Sequence, residues 1–168
     1  MADAMTPSQL VITAINPALT ILAQFMGERV RTPVAIRFLT AIAIQESGLT
    51  ARAQHGGGPA KSFWQFEPIG VDGVLSHPGS RVEASKLCEI LCYRLTGNEP
   101  ENIQLIYKAV EHNDVLAAGF ARLNLWKTPH PMPVTEDDGW RVYVDTWRPG
   151  KPDSARWPAA WAAGQAAA

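Results

Sequence analysis

The segment from Thr32 to Gly48 constrains the fold more than any other. Thr32 can accept a hydrogen bond from a first-turn amide. Pro33 suits the first helical position, where its missing N–H costs nothing, and Gly48 can take the left-handed conformation that ends a helix. Between them Ile36, Leu39, Ala43 and Ile44 recur at helical spacing, so one face is buried and the helix is expected to be central. Glu46 falls in its last turn. A carboxyl group among apolar neighbours is costly to ionise, so it keeps its proton to higher pH and can act as a general acid. A glycine-rich loop, Gly56-Gly57-Gly58-Pro59, then leads to Ser62-Phe63-Trp64-Gln65-Phe66-Glu67-Pro68, where aromatic and polar residues alternate. The alternation predicts a small β-hairpin around residues 55–66, with Gln65 on the same face as Phe63. Residues 46–68 read as an active site held by the rest of the chain.

That remainder reads as helical. Residues 8–26 carry Leu10, Val11, Ala14, Leu19, Leu22, Ala23 and Met26 at helical spacing, and Pro17 is expected to break or kink the run. A short helical turn is expected at 69–76. Ser80-Arg81-Val82-Glu83 has the pattern of a capping box, opening a helix to about residue 95 that Gly97 ends. Further helices are expected at 100–111 and 114–126, behind Asn98 and Asn113. Another spans 135–147, with Trp140, Tyr143 and Trp147 on one face, and a shorter one spans 155–162 before a frayed Ala-rich tail. The expected class is therefore mainly α: one domain over 1–168, a helical bundle with a small hairpin beside a cleft.

Composition narrows the function. A hydrophobic fraction of 46% and a net charge of -1 fit a globular domain and argue against a nucleic-acid binder that works by charge alone. The start of the chain lacks the pattern of a secretory signal, and no apolar stretch of membrane-spanning length is expected. Synthesis in the cytoplasm is therefore expected, with any outside action depending on delivery. Cys88 and Cys92 stand one turn apart on an expected helix, which suits buried or half-buried thiols and not a disulfide. His55, His77, His112 and His130 are scattered without metal-ligand spacing, and no nucleotide or nucleophile motif is present. No metal and no cofactor are expected.

Glu46-Ser47-Gly48-Leu49 followed by Ser62-Phe63-Trp64-Gln65-Phe66-Glu67-Pro68 resembles the core of the lysozyme-like lytic transglycosylases and goose-type lysozymes. Those families place Glu-Ser at a helix end, then a loop, then a Gly-x-Met-Gln-x-x-Pro strand. Here Ser62 takes the glycine position and Trp64 the methionine, while Gln65 and Pro68 are kept. The resemblance covers residues 46–68. The families' later Ala-Tyr-Asn-x-Gly string is absent, with Tyr107 and Asn113 as the available stand-ins. Segments 117–122 and 147–152 look like a bacteriophage lineage. The resemblance implies a lysozyme-like α+β fold and cleavage of peptidoglycan glycan strands, with Glu46 as the catalytic carboxyl group. It also implies an endolysin or virion-associated lysin acting at the cell wall, with virion or tail proteins as further partners.

The residue chemistry supports the same roles. Glycosidic cleavage needs a proton on the leaving oxygen while positive charge develops on the sugar. Glu46 can supply it if Trp64 or Phe63 screens it from water, and Ser47, Phe63, Trp64, Gln65 and Glu67 are the expected substrate-binding residues. Gln65 can bind an N-acetyl or hydroxyl group, and Ser47 can hydrogen-bond the backbone at the helix end. The glycine loop allows close approach of a polysaccharide. Glu67 and Asp72 are the carboxylates available to place a hydrolytic water. The resembled transglycosylases need only one carboxylate and leave a 1,6-anhydro product. Against these stand plainer readings. A Glu at a helix C-terminus is ordinarily solvated and sits against the helix dipole, and Trp140, Tyr143 and Trp147, like Trp157 and Trp161, could form a sugar-stacking platform but at helical spacing are more often core. The competing class is a lysozyme-like structural component of a phage virion or tail that has lost the chemistry.

Overall fold

Capping chemistry sets the helix boundaries along most of the chain. A computed structural model describes residues 4–54 and 56–167; His55 lies outside the described residues. Helix α1 (Pro7–Met26) opens on Thr6, whose hydroxyl accepts from the Gln9 amide while Gln9 accepts from the Thr6 amide in return. Of the break or kink expected at Pro17, the break does not occur, and the helix runs on through a local irregularity. One π turn over Val11–Ile15 lies just ahead of it, and the Asn16 N–H reaches back to Val11 O. The wider turn absorbs the register change where Pro17 has no donor to give. The run Pro7–Met26 is, by length and composition, long and apolar enough to cross a membrane, contrary to the sequence expectation. Its Leu10, Ala14, Ile15, Ala18, Leu19 and Leu22 are fully buried in the protein core.

After a 3-10 turn at Glu28–Val30 comes α2 (Pro33–Ser47). Thr32 accepts from the Ala35 amide at 3.2 Å, and Gly48, at φ +60, ends the helix with its N–H on Ile44 O. Residues 38–43 are all buried, so α2 is covered on every side, as its expected central place requires. Helices α3 (Pro68–Leu75), α4 (Arg81–Ile90), α5 (Glu99–Ala109) and α6 (Asp114–Trp126) follow. Asn98 and Asn113 cap α5 and α6 through their side-chain oxygens. Helix α6 is buried from Leu116 to Leu125 and packs on α1, α3, α4 and α2. Helix α7 (Glu136–Trp147) starts at Thr135, which accepts from the Asp138 amide. Helix α8 (Trp157–Ala166) lies along α2.

Three expectations need correction. Ser80 does not form a capping box: its hydroxyl donates to Val74 O, binding the start of α4 to the end of α3. Helix α4 stops at Ile90, short of Gly97, and Cys92 lies beyond it at φ +64, exposed, while Cys88 is buried. The Ala-rich end does not fray at Ala162, because α8 continues to Ala166. Its Gly164 sits so close to α2 that a Cβ there would lie 2.6 Å from Arg37 O.

The expected hairpin also needs correction. Among the described residues only isolated bridges join Ala53 to Lys61 and Lys61 to Phe66, with no strands. Lys61 and Phe66 exchange both backbone hydrogen bonds, and residues 62–65 between them form a turn with Ser62 and Gln65 at φ +68 and +51. Left-handed residues at both ends of the turn defeat strand alternation. Phe63, Trp64 and Phe66 consequently all reach the interior.

Candidate active site

Glu46 is half-buried in the last turn of α2. The Tyr143 hydroxyl, from α7, donates to Glu46 Oε1 at 2.7 Å. Tyr143 is itself buried, stacked on Trp157 with ring centroids 5.4 Å apart and planes 9° apart, and in contact with Trp140. Trp157 and Trp161 of α8 meet Phe38 edge-on at 6.2 Å. An aromatic cluster from α7 and α8 therefore stands behind the residue that touches the carboxyl group. Of the aromatics at helical spacing, Tyr143 and Trp157 are core, as the plainer reading has it, and Tyr143 also serves the carboxyl group.

Burial lifts the Glu46 carboxyl group to about 7, against the Tyr143 hydrogen bond and the Arg156 charge, which both favour ionisation. Burial, together with the charge and hydrogen bond of Glu46, pushes the Tyr143 hydroxyl above its usual range, so it remains a donor at neutral pH. Oε2 of Glu46 makes no hydrogen bond among the described residues and is not sealed from solvent. A carboxyl group oriented through one oxygen and open at the other can hold a proton near neutral pH and pass it on.

Helix α7 also reaches the downstream half of the motif. Trp147, one turn beyond Tyr143, donates its indole N–H to Trp64 O at 3.0 Å. Trp64 donates its own to Leu39 O of α2 at 3.0 Å. Glu46 and the 62–65 turn are thus held by the same two helices. The roles inside the turn differ from expectation. Trp64 is 0% and Phe63 2% exposed, so both brace the interior and present no face to a sugar. Arg52 covers the Phe63 ring at 4.5 Å and forms a bidentate pair with Asp114. Gln65 is half-buried and donates Nε2–H to Ser62 O within its own turn, and its φ removes it from the strand face it was expected to share with Phe63.

Ser47 hydrogen-bonds the backbone, but at its own helix end and not to hold a strand against it: it donates to Ala43 O and accepts from the Leu49 amide. Glu67 is exposed at the start of α3 and makes no capping bond. Asp72 accepts from the Ser76 hydroxyl at 2.5 Å. The two stand-ins for the missing tyrosine and asparagine serve elsewhere. Tyr107 donates to Pro59 O at the glycine loop, and Asn113 caps α6 and donates to Tyr93. Lys61 pairs with Glu111 at 2.6 Å beside Tyr107, so α5 and its C-terminal loop border the glycine loop.

Sequence reasoning weighed Tyr143 as core or as part of a sugar-stacking face, never as a partner of Glu46, and passed over Arg156 and Gln45. Gln45 is buried, donates to Asp153 O at 2.8 Å and leaves its Oε1 without a partner. The only available signal for Tyr143 was a single hydroxyl on an otherwise indole-rich helical face. Two open grooves, of about 390 and 410 Å3, run beside α4, lined by Ser85, Glu89 and either Tyr93 or Val82; neither includes Glu46. Among the described residues no group of three or more His, Cys, Asp or Glu side chains is gathered around a point where a metal ion could sit. Comparison with protein-family models, with curated proteins and with solved structures finds no match for this chain.

Proposed function

We propose that this protein cleaves the glycan strands of peptidoglycan at the MurNAc-β-1,4-GlcNAc bond, with Glu46 as acid and then base. The observation that carries this reading is the Glu46 carboxyl group, lifted to about 7 by burial and oriented by Tyr143 at 2.7 Å. The proton on Glu46 goes to the glycosidic oxygen as the C1–O4 bond breaks. The resulting carboxylate takes the proton of the 6-hydroxyl as O6 bonds to C1, giving a 1,6-anhydro muramic end. A tethered 6-hydroxyl has the advantage of proximity over free water. Glu67, exposed and unbonded, has no part in this route. Gln65, half-buried in the 62–65 turn, is the motif residue assigned to bind an N-acetyl or hydroxyl group. The site of action is the bacterial wall, reached as an endolysin or as a virion-carried lysin.

A second reading, a lysozyme-like structural component of a virion or tail, is favoured by the burial of Phe63 and Trp64 and by grooves that lie along α4. Digestion of purified peptidoglycan, with products weighed by mass spectrometry, decides. The expected products carry 1,6-anhydro ends, one water lighter than hydrolytic ones. Glu46→Gln is expected to fold normally and lose roughly 10² to 10⁴-fold in rate, while Glu67→Gln keeps most activity. Reducing muramic ends with an inactive Glu67→Gln would make Glu67 a nucleophile or base and the enzyme a hydrolase. No cleavage by the unmodified chain would leave the structural reading.

A further inference from the structure

The segment from Arg148 to Arg156 joins α7 to α8, and every residue in it is exposed except half-buried Pro149. The flanking helices are fixed to each other, since Tyr143 of α7 stacks on Trp157 of α8. The segment between them is lightly held. Pro149 and Pro152 have no N–H to satisfy. Among the described residues, the stretch 149–155 makes one hydrogen bond to an element other than α8: Gln45 of α2 donates Nε2–H to Asp153 O at 2.8 Å. It makes no ion pair. Full exposure and few hydrogen bonds are the marks of a segment that opens locally.

The one tie stands beside the acid. Gln45 precedes Glu46 in the last turn of α2, is 5% exposed, and leaves its Oε1 without a partner. Arg156, at the far end of the segment, has its Nη2 3.7 Å from where a Cβ on Gly48 would stand, and its charge acts on Glu46. The segment therefore lies along the end of α2 that carries Glu46. The plain reading is a connector with one tie. A tie alone does not account for the unpaired acceptor: docked, Gln45 keeps a buried oxygen unsatisfied, and release lets water reach it. Cleavage within a glycan strand also needs sugars on both sides of the acid, whereas the two grooves lie along α4 and neither includes Glu46.

We propose that residues 148–156 form a strap that closes on the end of α2 when docked on Gln45 and lifts to admit the glycan strand to Glu46. What is admitted rests on the glycan-cleavage reading. Lifting also withdraws Arg156. The other group that acts on Glu46, the Tyr143 hydroxyl of α7, stays in place. Without the Arg156 charge the carboxyl group holds its proton more firmly, which is the form that donates. One movement thus sets both access and proton supply.

Gln45→Met keeps the size of the side chain and loses the bond to Asp153, so it tests the strap. Carbon-13 NMR titration of the Glu46 carboxyl group, assigned by its absence in Glu46→Gln, needs no substrate. Its midpoint is expected to rise in Gln45→Met, and Arg156→Ala on that background should add less than about half of the rise it gives alone. On soluble glycan strands KM is expected to fall several-fold with kcat within about twofold, because a larger fraction of the protein is open. Should Gln45→Met fail to fold, Pro152→Gly loosens the strap at an exposed position and should raise the midpoint in the same direction, by less. A coupled titration without any glycan cleavage keeps the strap as a device acting on Glu46 and sinks the glycan reading. The proposal is overturned if the midpoint stays put in these variants, if Arg156→Ala shifts it equally with and without the Gln45 bond, or if glycan is cleaved and KM does not fall.

Discussion

Glu46 owes its chemistry to side chains far from it in sequence. A glutamate in the last turn of a helix, with water on both sides, ionises normally; here the Tyr143 cluster removes that water. Arg156, just ahead of α8, works the other way. Its Nη2 lies 3.7 Å from where a Cβ on Gly48 would stand, and its charge draws the Glu46 carboxyl group towards ionisation. A general acid is active while protonated, so the cleavage rate is expected to fall above about pH 7. Arg156→Ala removes a charge that lowers the carboxyl pKa, so this limb should move to higher pH. The shift should stay below about one unit, because Arg156 is exposed and screened. A pH–rate profile on peptidoglycan checks it, and a limb that stays put or moves to lower pH contradicts it.

The contact between α2 and α8 is what small residues at the end of the chain accomplish. Composition alone suggests that an Ala-rich terminus frays. Gly164 instead lets α8 approach until its backbone meets Arg37 O and Ala41, while Trp157 and Trp161 fill the space beside Phe38 and over Gly139. Gly164→Ala is expected to cost about 1–3 kcal/mol, the usual penalty of overpacking, because the clash is with backbone and no rotamer relieves it. Urea unfolding monitored by circular dichroism measures it, and an unchanged midpoint would contradict the packing. The 62–65 turn teaches a related point. The alternation Phe63-Trp64-Gln65-Phe66 has the pattern of a strand, but a tight loop closed by Lys61 and Phe66 buries Phe63 and Trp64 together with Phe66, where a half-buried strand would turn neighbours to opposite faces.

For the whole molecule, Glu46 sets the sign of a pH dependence. Its folded-state pKa of about 7 stands above the ordinary 4.5, so between these values the folded protein holds a proton that the unfolded chain has released. Stability from this group is therefore greatest below about pH 4.5, falls as pH rises towards 7, and is level above. The span amounts to on the order of 3 kcal/mol. Glu46→Gln carries no such charge, so it is expected to melt above the unmodified protein at pH 8, with the gap closing near pH 4. Thermal unfolding at the two pH values tests this, and a gap that widens in acid would refute the buried, proton-holding carboxyl group. A protein that pays stability for a reluctant acid at one position is consistent with that position being used.

Local chemistry determined what neighbours in sequence can determine. Thr32, Asn98, Asn113 and Thr135 cap helices through bonds to residues three positions on, so those starts were legible. The same holds for the central burial of α2 and for Glu46 in its last turn. Tertiary structure alone decided the rest. Pro17 became a π turn and not a break because α1 keeps one buried face through it. Ser80 turned from its own helix to Val74, and Trp64, expected to contact substrate, went to the core. The proton affinity of Glu46 is raised by burial and held back by Tyr143 and Arg156, roughly a hundred residues away in the chain, because desolvation and charge act through space and leave no local pattern in sequence.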